Sequence, residues 1–486
     1  MLNELNNHFN ETTTTNGAKA FKSTKSSVLD LFSEGGAYRQ RSDNDAQSLF
    51  SKAFAENPLL AMKTLFYLRD VTQGQGERRF FRLALKHLAL HNPQAVVKNL
   101  HLVPEFGRWD DILVLLETSV KGEVVKLVKE QLAKDLVTER PSLMGKWLPS
   151  ENTSSHETKK LARILRKALG LTPKEYRQTL SLLRKRIDIV ETKVTEKRYE
   201  DIDYSKLPSR AGLILRGAFF RNDETRYKAF LDSLSKGEVK VNAKALYPND
   251  IVGKILGGYS WTRPRHSEQD IKLFDGMWKA LPDFIGEKSE ESLVMADVSG
   301  SMSGEPMNVS IALAMYIAER NKGIYKNHFM TFSSNPSLVK IQGSNIVEKV
   351  NNISRADWGM STNIERALQT ILDVAKKNNV PNEQVVKKLY IISDMQFDAC
   401  VEGANTHIFK NMEKKFNDVG YDFPNIVFWN VRAYGNTQVT MNDKGVQLVS
   451  GYSPSILTQL LNADGLTPYQ LMLEVIDSER YQGVTV

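Results

Sequence analysis

Asp297, Ser299 and Ser301 stand at alternate positions and offer one carboxylate and two hydroxyls. Extended backbone puts alternate side chains on the same side, so the three oxygens converge on one point. Hard donors of this kind suit Mg2+ or another divalent cation such as Mn2+. Two further stretches offer matching oxygens. Met360-Ser361-Thr362-Asn363 opens a helical pattern through Ile364, Ala367 and Leu368, and Asp394 follows the apolar run Leu389 to Ile392. The candidate metal ligands are therefore Asp297, Ser299, Ser301, Thr362 and Asp394. Ser299 and Ser301 also suit a turn and a helix cap beside a structural aspartate, but that reading leaves Thr362 and Asp394 as coincidences.

Catalytic chemistry finds less support. The eight histidines include no His-Glu-x-x-His pair, and neither Gly74-Gln75-Gly76 nor Gly257-Gly258 is followed by the Gly-Lys-Ser/Thr of a phosphate-binding loop. No Gly-x-Ser-x-Gly elbow presents a nucleophile. Cys400 is the only cysteine, which excludes an internal disulfide and a multi-cysteine zinc site. A binding protein is expected rather than an enzyme.

The oxygen set needs strands to position it. After Gly286-Glu287-Lys288 the texture changes to short apolar runs alternating with amphipathic helices, the pattern of a parallel sheet covered on both faces. Leu293 to Ala296 is the first strand, followed by a helix through Ile311, Ala314, Met315 and Ala318. Phe329 to Phe332, Leu338 to Ile341, Leu389 to Ile392 and Ile426 to Trp429 read as further strands. Asp297 then lies in the loop at a strand's carboxyl end, where open α/β sheets gather ligands.

Before residue 288 the pattern is helix after helix. Asn57-Pro58 and Asn92-Pro93 have the form of helix starts, with Asn as the cap and Pro at the first helical position. Their separation is near the period of helical-hairpin repeats. The expected organisation is a disordered tail over 1–20, an all-α, HEAT-like helical-repeat domain over 21–288, and an α/β doubly wound domain over 289–486.

No run approaches the ~20 apolar residues of a membrane span, and the first seventeen residues lack the apolar core of a signal peptide. A soluble, cytoplasmic monomer is expected. Charge is uneven: residues 1–288 carry 48 Lys and Arg against 36 Asp and Glu, and the rest 17 against 21. Residues 159–198 hold 13 basic and 4 acidic side chains, a density that points to a polyanion, most plausibly nucleic acid. The candidate contacts are Lys159, Lys160, Arg163, Arg166, Lys167, Arg184, Lys185 and Arg186, with Arg263 and Arg265 beside Trp261 as a second patch. A solvated helix face is the plainer alternative.

The Asp-x-Ser-x-Ser motif, the later Thr362 and the strand-end Asp394 resemble the metal-ion-dependent adhesion site of the von Willebrand factor A family. That resemblance implies Ser299, Ser301 and Thr362 as direct ligands, with Asp297 and Asp394 acting largely through water. A cation so held lacks negative charge, so its open position would favour a Glu or Asp of a partner protein, or a phosphate. Helices ahead of such a domain resemble the Ro autoantigen family, in which a TROVE ring of helical repeats precedes it. The stretches carrying this are Arg69 to Phe81 with Gly74 and Gly76, Gly107-Arg108-Trp109-Asp110-Asp111, and Ser450-Gly451-Tyr452-Ser453. An uncharacterised family of the same architecture is closer, and Lys146-Trp147-Leu148-Pro149-Ser150 fits it as well. The Ro resemblance implies binding of structured, non-coding RNA through the basic helical domain. The alternative is a metal-dependent protein-interaction scaffold without RNA.

Overall fold

From residue 291 onward the short apolar runs form strands whose side chains are buried on both faces of one sheet. The computed structural model describes residues 1–243, 246–257, 265–286, 291–332, 336–354, 363–398, 408–461 and 463–486. Two short strands, β1 (Glu11–Thr13) and β2 (Lys19–Phe21), pair antiparallel near the amino terminus. Six more are β3 (Ser292–Ala296), β4 (His328–Thr331), β5 (Leu338–Lys340), β6 (Lys388–Ser393), β7 (Asn425–Asn430) and β8 (Val446–Ser450). They lie in the order β5-β4-β3-β6-β7-β8, all parallel except β5, which runs antiparallel to β4. The chain winds outward from β3 to β4 and β5, then returns to β6 on the other side of β3. These two strands are neighbours where the winding reverses, and the crevice beyond their carboxyl ends is the preferred ligand position in open α/β sheets.

Alternation along the strands feeds two cores. Val294, Ala296, Tyr390, Ile392, Val427 and Trp429 share a cluster with Val309 and Leu313 of the helix Glu305–Arg320, and that cluster continues into the helical part of the chain. Leu293, Met295, Leu389, Ile391, Ile426 and Phe428 cluster instead with Leu368 and Leu372 of the helix Ile364–Lys377 and with Met412 and Phe416. A polar substitution at any of these positions would bury an unsatisfied group and destabilise the sheet.

Among the described residues before 291, β1 and β2 are the only strands, and the rest of the regular structure is helical. Asn57 and Asn92 cap their helices by accepting the N–H groups of Leu60 at 3.0 Å and Ala95 at 3.3 Å, each with Pro in the first turn. The carboxyl-terminal segment is tied back onto these helices. Arg480 bonds Asp70 at 2.9 Å, Lys63 pairs with Asp477, and Asn99 exchanges two hydrogen bonds with Thr485.

The Gly-rich stretches singled out in the sequence meet at this seam. Gly451 has φ +106°, and a Cβ there would lie 2.1 Å from Gln75 Oε1, so glycine is required. Arg39 stacks on the Tyr452 ring at 3.9 Å, and the Ser455 hydroxyl donates to Gly74 O at 3.3 Å. Asp111 binds Arg69 at 2.7 Å with both side chains buried. The first and third stretches therefore have structural work at the contact between helices and sheet, and the second ties helices to one another.

The expectation of a disordered tail over 1–20 is corrected. Leu2–Asn10 is helical, and the β1–β2 hairpin docks on the α/β part. The Thr14 hydroxyl donates to Phe397 O at 2.6 Å, the Thr15 N–H donates to Gln396 Oε1 at 2.8 Å, and Ala18 and Ala20 are buried. Hydrogen bonds to distant loops order a segment whose polar composition suggests none. Among the described residues, no helix is long and apolar enough to cross a membrane.

Candidate metal centre and basic surface

The β3–β6 register sets Ala296 opposite Ile392, so Asp297 and Ser393 come level one step later. The Asp297 N–H extends the ladder to Ile392 O at 2.9 Å. Its carboxylate accepts the Ser393 hydroxyl at 2.6 Å on Oδ2 and the Ser299 N–H at 2.9 Å on Oδ1. The Ser299 and Ser301 hydroxyls lie 3.1 Å apart. Asp394 Oδ1 accepts the Gln396 N–H at 3.1 Å, while its buried Oδ2 has no hydrogen-bond partner among the described residues. The structure thus brings Asp297, Ser299, Ser301 and Asp394 together at the switch point. Thr362, with Met360 and Ser361, lies outside the described residues, as does Cys400. Asn363 caps the next helix, accepting the Arg366 N–H at 2.8 Å.

Burial pushes the Asp297 carboxyl up to about 6, and the neighbouring Asp394 adds to the rise, against the Ser393 hydroxyl and the Ser299 N–H. Asp394 is raised by burial too, with the Ser301 hydroxyl, the Gln396 N–H and the Arg432 guanidinium pulling it back. Two buried, mutually repelling carboxylates, one with an orphaned oxygen, are relieved by a cation between them. The donors are all hard oxygens, so the residues fit a divalent ion such as Mg2+. Among the described residues no group of three or more His, Cys, Asp or Glu is placed to hold a metal; this centre offers two carboxylates, and hydroxyls or water would complete it.

Sequence reasoning missed three members of the site. Ser393 and Gln396 flank Asp394, and strand pairing alone reveals that Ser393 faces Asp297. Arg432, just beyond β7, sends Nη1 to the Ser301 carbonyl; nothing in its local sequence marks it.

The basic segment occupies the helices His156–Leu169 and Pro173–Ile187. Arg163, Lys167 and Lys185 are exposed, Lys159 is half-buried, and none of the four has an ion-pair partner among the described residues. Lys160 pairs with Glu117 at 2.7 Å. Other members turn inward. Arg166 binds Glu151 at 2.8 Å and the Leu171 carbonyl, and Arg184 donates to the carbonyls of Gly145 and Leu148 and to Ser150 Oγ. Arg186 donates to Leu136 O at 2.7 Å. Arg265 is exposed, whereas Arg263 and Trp261 lie outside the described residues. Lys174 and Arg177, not singled out in the sequence, are exposed on the second helix and make no ion pair among the described residues.

Comparison with known proteins corrects the Ro and von Willebrand readings. The domain of unknown function DUF2828 matches residues 14–142 and 142–290, and the domain of unknown function DUF7788 matches 291–481. Neither a TROVE nor a von Willebrand factor A family is found. The uncharacterized protein L728 of Acanthamoeba polyphaga mimivirus is 31% identical over 507 aligned residues, spanning 96% of this chain and 87% of that protein. The physical source of the error is that Asp and Ser at the carboxyl ends of parallel strands suit the ligand position of many unrelated sheets. Short Gly-rich stretches with structural work are equally poor markers of descent.

Proposed function

The chain belongs to the DUF2828 family, and from that premise we propose a non-catalytic binding protein that uses a divalent cation at the carboxyl ends of β3 and β6 to capture an acidic group of a partner. The observation that carries this reading is the buried Oδ2 of Asp394, which has no hydrogen-bond partner among the described residues, beside the buried carboxylate of Asp297. A bound cation would supply an incompletely neutralised positive charge facing outward. The protein's own part is positional. Ser393 and the Ser299 N–H fix the Asp297 carboxylate, the Gln396 N–H fixes that of Asp394, and Arg432 holds the Ser301 carbonyl. Calorimetric titration of the full chain with Mn2+ tests it. One site is expected in the native chain and none in Asp394→Ala; equal binding by both would exclude this centre.

The same proposal gives the basic helices an RNA-binding role, favoured by Arg163, Lys167, Lys174, Arg177 and Lys185, which are exposed and without ion pairs among the described residues. Contacts of this kind give affinity for phosphates with little sequence preference. In this reading the amino-terminal part is a stack of helical hairpins and the carboxyl-terminal part a doubly wound domain, which the outward and returning strand order supports. Titration with RNA separates it from a protein scaffold that uses the metal alone. Log affinity falling with log salt at roughly 0.7 to 0.9 per contact is expected, and no RNA binding at low salt would leave the scaffold.

A further inference from the structure

We infer that a pocket on the helix Pro173–Ile187 receives one unpaired base of a bound RNA strand; this rests on the RNA reading above and gives it a location. A cavity of about 280 Å3 lies between that helix, the loop at 150–152 and Thr192 of the next helix. Tyr176 and Leu180 give it apolar surface, while Asn152, Ser181 and Thr192 line it with hydrogen-bonding groups. Arg177 lines it as well and is exposed, with no ion-pair partner among the described residues.

The pocket is held open by bonds within the protein. The Tyr176 hydroxyl donates to Pro149 O at 2.8 Å, Arg184 donates to Leu148 O at 2.9 Å and to Ser150 Oγ at 2.8 Å, and Arg166 fixes Glu151. Two arginines of the basic segment therefore build the site instead of contacting phosphate. A preformed pocket spares a ligand the cost of ordering the loop.

Its chemistry selects the ligand. Pockets for drug-sized molecules run from about 300 to 1,000 Å3, so this one takes something smaller. A nucleobase is flat and apolar on its faces, with donors and acceptors along its edge, and single-stranded RNA is read by drawing such bases out of the stack. Arg177 is placed for the adjoining phosphate. Arg163 and Lys167, exposed on the preceding helix, offer further phosphate contacts.

The test uses the full chain, fluorescein-labelled single-stranded oligoribonucleotides of adenosine and of uridine, and an RNA duplex of equal length, read by anisotropy. Ser181→Trp fills the cavity from an exposed position, and its melting curve shows whether the fold is kept. On the order of tenfold weaker binding of at least one single strand is expected, with duplex binding unchanged; Arg177→Ala is expected to weaken the same strand less. If Ser181→Trp binds both single strands as the native chain does, while Arg163→Glu with Lys167→Glu loses them, the pocket is wrong and the RNA reading stands. If the native chain binds no RNA at low salt, both fall. Should Ser181→Trp unfold, Asn152→Ala with Thr192→Ala carries the test, and unchanged single-strand affinity in that variant overturns the pocket.

Discussion

At the carboxyl ends of β3 and β6 two carboxylates are kept out of water, one of them with an oxygen that nothing among the described residues satisfies. Along the helices His156–Leu169 and Pro173–Ile187, by contrast, Arg163, Lys167, Lys174, Arg177 and Lys185 stand in solvent and have no ion-pair partner among the described residues. The first arrangement costs stability and persists only where surrounding packing enforces it; the second costs almost nothing. Loss of one oxygen should therefore abolish binding at the sheet. On the helices each contact should subtract a share.

The largest effect is expected from Asp394→Asn. Divalent-cation affinity should fall by about a hundredfold or more, while the metal-free protein should melt at a higher temperature, because an amide replaces a buried carboxylate one of whose oxygens lacks a hydrogen-bond partner among the described residues. Calorimetric titration and thermal melting check the two halves of that statement. A lower melting temperature would mean that the carboxylate already has its partner.

A buried charge that is fully paired sharpens the contrast. Asp111 accepts Arg69 at 2.7 Å and Arg82 at 2.7 Å and is itself fully buried. Asp111→Ala leaves the buried Arg69 guanidinium without its carboxylate, while Arg82 keeps Asp110 at 2.8 Å, and should destabilise the chain by about 3–5 kcal/mol, measured by urea unfolding. The same substitution at Asp394, whose Oδ2 has no hydrogen-bond partner among the described residues, should cost far less. Similar costs at both would erase the distinction.

On the basic surface, Arg163→Glu with Lys167→Glu should weaken RNA binding by about tenfold at moderate salt. The slope of log affinity against log salt should shrink by roughly 1.4 to 1.8, two contacts at 0.7 to 0.9 each. An unchanged slope would remove these side chains from the interface.

The smallest effect concerns Glu34, buried at the end of the helix Ser27–Glu34. Burial pushes its carboxyl up to about 8, Asp30 adds to the rise, and Arg41, Tyr38 and Lys52 oppose it. The folded chain then holds a proton that the unfolded chain releases near the ordinary carboxyl value. Its contribution to stability is full below about pH 4.5 and is lost as pH rises toward 8. Glu34→Gln should flatten the decline in melting temperature across that window; an identical decline would place the titration elsewhere.

Much of the α/β part is legible in the sequence because its strands are continuous apolar runs. Leu389 to Ile392 and Ile426 to Trp429 lie inside β6 and β7, and Asp297 and Asp394 are marked by ending two of these runs. β8 is not legible, since Gln447 interrupts its pattern; the side chain is buried, and its NH2 group donates to the carbonyls of Ala463 and Leu466. The β1–β2 hairpin is missed for a related reason, as its polar residues are answered by loops hundreds of positions away. Charge density locates the basic segment but does not tell an arginine that faces water, such as Arg163, from one that braces a loop, such as Arg184. Family membership is the least legible, because strand-end Asp and Ser residues follow from sheet geometry rather than from descent.

The most direct test is anomalous scattering from a crystal of the full chain soaked in Mn2+. A single strong peak is expected within ~2.5 Å of the Ser299 or Ser301 hydroxyl, with both Asp297 and Asp394 in its immediate surroundings. A Mn2+ peak elsewhere on the molecule, or none beside an ordered Asp394 carboxylate, would contradict the claim that these two buried acids are held apart for a cation.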